Sequence, residues 1–374
     1  MKSLYNYVVS IRRPSRHSPT GNNFNIISTM DAKKIILVSL NGIGNKGGVE
    51  RVSWYLNDIL SRNFSDVRLM TRGKLFPGKI GNLIWPFILS LKLCFIKNKI
   101  VIANSWHCFL YPAELSIHHG TMAGAMKHSS LGKAAPLTAY MEKISARKAR
   151  KVLAVSLNCK QELESLYKIN PKKIDVLNNF VDEEVFYPAT SPSTTAAASR
   201  NINVLFAGSL DERKGLPKLI EFSNYIEAYK GDYDISFTIA SNTKDAFHYF
   251  EGKKKTKIIS GLGVEKMPDF YRAGDILLFP TNYEGFSMAT MEALATGLCV
   301  IGSAFAIPEE IKNFDFCCRH DFSDLTETIE QIIRLYKTYH NQKNQIAEKT
   351  IKGFGKKQYE EKIISFTKQA MEQN

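Results

Sequence analysis

The chain has 374 residues, 44% of them hydrophobic and 23% charged, which fits globular α/β material and excludes a low-complexity or collagen-like chain. A formal charge of +14 points to an anionic partner: nucleic acid, an anionic membrane surface, or phosphorylated substrates. No zinc-finger spacing or aromatic RNA-binding signature selects nucleic acid. The six cysteines, Cys94, Cys108, Cys159, Cys299, Cys317 and Cys318, form neither a CxxC pair nor a zinc-ligand pattern, so a reduced, cytosolic compartment is the simplest reading.

In chain order, residues 1–31 are polar and basic, without an apolar signal core, and read as a disordered extension. Residues 35–40 form an apolar run that ends in the glycine-rich loop Asn41-Gly-Ile-Gly-Asn-Lys-Gly-Gly48, and residues 49–60 then read as a helix. A strand is expected at 67–70. Residues 80–96 are apolar but contain Pro86 and Lys92 and fall short of the roughly 20 residues a membrane span needs. They read as a core or interfacial helix. Further buried strands are expected at 100–103 and 152–155, with helices at 137–148 and 160–167. Residues 187–201 are rich in Ser, Thr, Ala and Pro and read as a linker. A second alternating series follows, with strands at 204–207, 235–240, 276–279 and 299–302, a helix over 287–295, and one or two helices over 352–371. Strand–helix alternation on both sides of a linker predicts two doubly wound, Rossmann-like α/β domains with a ligand cleft between them.

Gly42, Gly44 and Gly47 match a dinucleotide-binding fingerprint. The acidic residue expected at the end of the next strand to hold a ribose is replaced by Thr71 and Arg72. An NAD(P)-dependent oxidoreductase therefore stands as a weakened alternative. The other reading uses Gly47 and Gly48 as a close-approach loop whose amides face a charged ligand.

Two constellations in the second half carry chemistry. Arg213 and Lys214, before Gly215, follow the strand at 204–207, where adjacent cations can meet the growing charge of a diphosphate leaving group. The segment from Glu284 to Glu292 follows the strand at 276–279. With a helix starting near Gly285, the amides of Gly285, Phe286 and Ser287 would suit a phosphate. Glu284 would then reach sugar hydroxyls, and Glu292, about two turns into the helix, would hold the hydroxyls of a ribose. Asp232-Tyr-Asp234 has the form of a metal-binding DxD motif but precedes a strand, away from the cleft, and reads as a turn.

The run from Glu284 to Glu292, with Ala293-Leu-Ala-Thr-Gly297 after it, resembles the signature of retaining GT-B glycosyltransferases of family four. Gly47-Gly-Val-Glu-Arg51, His119-Gly120, Val155-Ser156, Asn179-Phe-Val-Asp182 with Phe186, and the loop Gly208 to Gly215 match other parts of the pattern in order, over about residues 33–370. Ser209 stands where many members carry Arg, and Arg213 is positioned to supply that charge, as in members resembling lipopolysaccharide-core transferases.

The resemblance implies a division into an acceptor domain at 32–186, a linker at 187–201, a nucleotide-sugar donor domain at 202–350, and a C-terminal helix at 351–374 crossing back to the first domain. It implies diphosphate binding by Arg213 and Lys214, donor-sugar binding by Glu284 and ribose binding by Glu292. His119 would lie on the acceptor side, with His118 a competitor. It implies transfer of a hexosyl unit with retention, without a metal, from a nucleotide-diphosphate sugar (a UDP-sugar) to a glycan or glycolipid acceptor at the cytoplasmic membrane face. A nucleotide-sugar 2-epimerase on a similar fold is the alternative within this architecture.

Overall fold

A computed structural model describes residues 33–39, 48–72, 78–189 and 200–373, apart from the side chains of residues 78–80, 82 and 83. The N-terminal extension, Gly47 and the middle of the 187–201 segment lie outside the described residues.

The first half builds a six-stranded parallel sheet in the order β2-β1-β3-β4-β5-β6. Its strands are β1 (Lys34–Val38), β2 (Val67–Met70), β3 (Lys99–Asn104), β4 (Leu115–His118), β5 (Lys151–Ala154) and β6 (Ile174–Val176). The helices are α1 (Gly48–Asn63), α2 (Gly78–Cys94), α3 (Met122–His128), α4 (Ala135–Lys148) and α5 (Leu157–Ser165). Alternation along β1 sends Ile35 and Leu37 to one face, against Val52, Leu56 and Ile59 of α1. Ile36 and Val38 go to the other, against Trp85, Leu89 and Leu93 of α2. Both faces are covered, which is why these strands are apolar without interruption.

The second half repeats the architecture, in the order β12-β11-β10-β7-β8-β9. The strands are β7 (Asn201–Ala207), β8 (Asp234–Ala240), β9 (Thr256–Ile259), β10 (Ile276–Phe279), β11 (Cys299–Gly302) and β12 (Cys317–Arg319). The helices are α6 (Leu216–Ala228), α7 (Met267–Arg272), α8 (Met288–Ala295), α9 (Leu325–Tyr339), α10 (Lys343–Phe354) and α11 (Lys356–Glu372). Every described strand pairing in both sheets is parallel. The architecture is therefore GT-B: two Rossmann-like domains facing a cleft.

In each sheet the strand order reverses once, between β1 and β3 and between β7 and β10. The loops leaving such a pair diverge to opposite faces and open a crevice at the strands' C-terminal ends. The two cationic residues follow β7 and Glu284 follows β10, so the fold delivers both to one crevice.

Several boundaries differ from the sequence expectation. The helix after β10 starts at Met288, not near Gly285, because the Ser287 hydroxyl accepts from the Thr290 amide and caps it. Gly285 and Phe286 thus belong to the approach loop, and Glu292 sits little more than one turn into the helix. The apolar helix ends at Cys94, leaving Phe95 and Ile96 beyond it. The C-terminal region is two helices, divided at Gly355. α11 lies against the first sheet's helices, where Arg62 and Asn63 of α1 both donate to Glu360.

Candidate active site

The loop after β7 is shaped by its own polar side chains. Asp211 accepts from the Ser209 hydroxyl through Oδ2, at 2.6 Å, and from the Lys214 amide through Oδ1, at 2.9 Å. Gly215 has φ +83°, and a Cβ there would lie 2.3 Å from the Pro280 carbonyl oxygen. Glycine is therefore required twice over, by conformation and by contact. This tight turn projects Arg213 and Lys214 toward the end of β10.

Both cations reach Glu284. Arg213 Nη1 lies 3.1 Å from Glu284 Oε1, and Lys214 Nζ pairs with the same oxygen. Arg213 Nη1 also donates to the Tyr283 carbonyl at 3.2 Å. The Asn282 amide donates to the Arg213 carbonyl at 2.7 Å, so the backbones of the two loops are stitched together as well. Lys214 also sits over the Phe279 ring, 4.8 Å from its centroid. Two positive charges and one carboxylate leave this cluster with a net positive charge, suited to a dianionic group.

The same loop touches the first domain. A Cβ on Gly285 would come within 2.0 Å of the His119 carbonyl oxygen and 2.7 Å of the Gly120 nitrogen. Ser156 donates to the Gly285 carbonyl at 2.6 Å. The Tyr283 hydroxyl bonds Glu162 Oε2 at 2.7 Å and the Thr121 backbone on both its amide and its carbonyl. Burial raises the Glu162 carboxyl above its ordinary range and the Tyr283 phenol far above its own. Further along, Glu310 Oε1 accepts from the Leu157 amide and the Asn178 side chain.

Glu292 points to the same seam. Its Oε1 lies 2.6 Å from Arg51 Nη2 across the cleft, and its Oε2 accepts from the Tyr271 hydroxyl at 3.2 Å. Its side chain is 5% exposed. Gly48 opens α1 beside this region, and a Cβ on it would meet Met288 at 3.8 Å.

The two histidines separate cleanly. His118 is fully buried, with Nε2 3.1 Å from the Ser116 hydroxyl and Nδ1 3.6 Å from Glu142. It belongs to the first domain's interior, not to the cleft. His119 lies at the C-terminal edge of that sheet, its Nε2 2.6 Å from Asn104 Oδ1; Asn104 in turn donates to Ser53. Burial, reinforced by neighbouring His118, lowers the His119 pKa from 6.5 to about 4. Asp234 opens β8 at the opposite edge of its sheet and pairs with Lys255, so the DxD-like turn lies away from the cleft.

Of the residues singled out in sequence, Arg213, Lys214, Glu284, Gly285 and Glu292 thus meet at one seam with His119 and Gly48. Sequence reasoning missed Tyr283, Glu162, Tyr271 and the role of Arg51. Tyr283 could have been noticed as the neighbour of Glu284. The others are brought in only by the tertiary fold.

Both halves of the chain resemble known proteins. The description "Glycosyltransferase Family 4" matches residues 48–185, and "Glycosyl transferases group 1" matches residues 201–337. A 41.2 kDa protein in the cps region of Klebsiella pneumoniae is 25% identical over 178 residues, 47% of this chain and 42% of that protein. The chain spans 36–56% of the length of the first curated relatives it matches. Sucrose-phosphate synthase from Thermosynechococcus elongatus shares the fold, with TM-score 0.72 and 15% identity over 91% of this chain and all of that one. So does HepE from Anabaena in complex with UDP and glucose, with TM-score 0.66 and 15% identity over 90% of this chain and 99% of that one.

Two measurements probe the seam. Gly285→Ala is expected to force the domains apart at His119 and to destabilise the protein by about 1–3 kcal/mol, read as a lowered melting temperature. Acid sensitivity is the second. The folded His119 ring stays neutral down to about pH 4, whereas an unfolded ring takes a proton near 6.5. Its contribution to stability is complete above pH 6.5 and is lost as pH falls toward 4. His119→Gln is expected to flatten part of that loss in urea midpoints measured across the window.

The two matches are consecutive and together take in both domains, and the chain belongs to the group 1 glycosyltransferases of family 4.

Proposed function

We propose that the protein transfers a hexosyl unit from a nucleoside diphosphate sugar, with a UDP-sugar as donor, to a lipid-linked or surface-glycan acceptor. The observation that carries this reading is the convergence of Arg213 and Lys214 on Glu284 at the strand-order reversal of the second sheet. A diphosphate takes the two cations and the amides of Gly285, Phe286 and Ser287. Glu284 is then released to accept from hydroxyls of the transferred sugar, and Glu292 holds the ribose. Gly48, at the start of α1, approaches the donor from the first domain, as would Gly47 before it. The UDP complex of HepE, on the same fold, supports a nucleotide donor.

Transfer proceeds with retention of configuration. The bond from the anomeric carbon to the diphosphate oxygen breaks while the acceptor oxygen bonds to that carbon from the same face. The acceptor's proton passes to the departing phosphate oxygen. No protein nucleophile takes part, and Arg213 and Lys214 supply the positive charge that a metal would otherwise bring. His119 lies on the acceptor side as a neutral hydrogen-bonding group, oriented by Asn104. In this reading residues 32–186 are the acceptor domain, 202–350 the donor domain, and 351–374 the segment returning to the first.

The acceptor side also meets a membrane surface, on the cytoplasmic face. α2 buries Trp85, Leu89 and Leu93 against the sheet, yet its outer face exposes Ile84, Phe87 and Leu91, and Phe95 follows at 79% exposure. Leu137 and Tyr140 of α4 are exposed too, and both helices pack on the turn Trp106–Cys108. Lys92 on α2, Lys97 just after it and Lys133 just before α4 are exposed as well. Apolar area combined with basic charge gives reversible attachment to anionic lipid. Among the described residues no helix is long and apolar enough to cross a membrane.

Lys214→Ala and Glu284→Ala are each expected to lower sugar transfer about 10²–10³-fold, with the melting curve preserved. The assay is nucleotide release across a panel of nucleotide sugars, and near-wild-type turnover by either variant would sink the proposal. For the membrane, Phe87→Ser with Leu91→Ser should abolish flotation with phosphatidylglycerol vesicles, and Lys92→Gln with Lys97→Gln should weaken it. Unchanged flotation in both would remove the attachment surface.

A further inference from the structure

We infer that Arg51 is a positioning residue: from the acceptor-side domain it sets the carboxylate of Glu292 for the donor's ribose, and so couples nucleotide affinity to closure of the cleft. This rests on the reading of Glu292 as the ribose acceptor.

The Glu292 side chain is 5% exposed, and a carboxylate that far from water needs an opposing charge close by. Within its own domain it accepts from the neutral Tyr271 phenol. The opposing charge arrives from the other domain, as the Arg51 guanidinium at 2.6 Å. The charge of Glu292 is the largest effect on Arg51 and raises its pKa against the cost of burial.

Arg51 is itself held in place. It lies in the first turn of α1, whose Tyr55, one turn on, donates to Asp182 at 2.6 Å. Asp182 also faces Lys356 at the start of α11. The helix carrying Arg51 is therefore tied to the segment where the C-terminal helices return to the first domain. A planar guanidinium on such a helix is a fixed donor, unlike a lysine on a flexible stem.

Arithmetic at the carboxylate links this geometry to recognition. An ionised carboxylate offers about four acceptor positions, two on each oxygen. Tyr271 takes one on Oε2, whereas the Arg51 guanidinium faces Oε1 as an ion partner and leaves that buried oxygen without a hydrogen bond. At least one position per oxygen remains, the number that two vicinal hydroxyls of a ribose require. Removing Arg51 frees the carboxylate to turn and leaves its charge uncompensated. Because Arg51 and Glu292 are on different domains, whatever strengthens their contact strengthens ribose binding, and ribose binding strengthens closure in return.

The test compares UDP with 2′-deoxy-UDP by calorimetry on the full chain, using wild type, Arg51→Gln, Arg51→Lys, Glu292→Gln and the Arg51→Gln/Glu292→Gln double variant. Wild type is expected to favour the ribonucleotide about tenfold, as one hydrogen bond to a charged group warrants. Arg51→Gln should bring that ratio close to one, the double variant should match Glu292→Gln, and Arg51→Lys, which keeps the charge but not the fixed fork, should fall between wild type and Arg51→Gln. A merely structural role would alter melting temperature without changing the ratio. Wild-type discrimination retained in Arg51→Gln, or retained undiminished in Arg51→Lys should Arg51→Gln fail to fold, would overturn the inference. Absence of UDP binding or of ribose preference in wild type would instead overturn the reading of Glu292 on which it rests.

Discussion

The seam between the domains depends on a single close approach, that of the Gly285 backbone to the carbonyl of His119. Any side chain at position 285 would occupy space that the first domain's backbone already fills. Once the two main chains meet there, the Tyr283 hydroxyl falls within reach of Glu162 and Thr121, and Ser156 reaches the Gly285 carbonyl. The loop carrying Glu284 is thus positioned from both sides. Its own domain fixes it through Arg213 and Asn282, and the other domain through Tyr283 and Gly285.

That arrangement follows from parallel sheets. In a parallel sheet all the loops that precede helices leave from one edge, and the reversal of strand order opens a crevice there. The chain does this twice, with different strand orders, 2-1-3-4-5-6 in the first sheet and the order beginning β12-β11-β10 in the second. In both sheets a loop–helix start lies beside the reversal: α1 after β1, and the Gly215 turn into α6 after β7. Opposing the two edges puts helix starts, cations and carboxylates within one side-chain length of one another, although they lie far apart in sequence.

The legible part of this lay in long apolar runs and in motifs that stay local. β1, β3, β5, β7, β10 and β11 carry continuous apolar runs, β8 alternates its apolar residues with Ser236 and Thr238, and the loop before Gly215 announced its own turn. β4 escaped notice because Leu115-Ser-Ile-His118 alternates two polar residues that the fold turns inward, onto Glu142 and each other. β6 and β12 have three residues each, too few to show a period. The start of α8 was misplaced because Ser287 was read as a helix residue rather than as its cap. The Arg51–Glu292 pair could not be read at all: it exists only because the two domains face each other, and no local pattern links a first-turn arginine to a glutamate in the other domain.

The overall charge of the chain also looks different once the cleft is considered. Three cations, Arg51, Arg213 and Lys214, face two carboxylates, Glu284 and Glu292, so the cluster itself carries a net charge of only +1. The formal +14 of the whole chain must therefore reside mostly outside the cleft. A surface excess acts over about a Debye length, roughly 8 Å at physiological salt, and draws anionic substrates or lipid toward the protein without selecting among them. In the reading proposed above, selection belongs to the cleft, where each cation is fixed by a carboxylate. Basic composition and specific binding are then separable properties of this fold: high salt should weaken the first far more than the second.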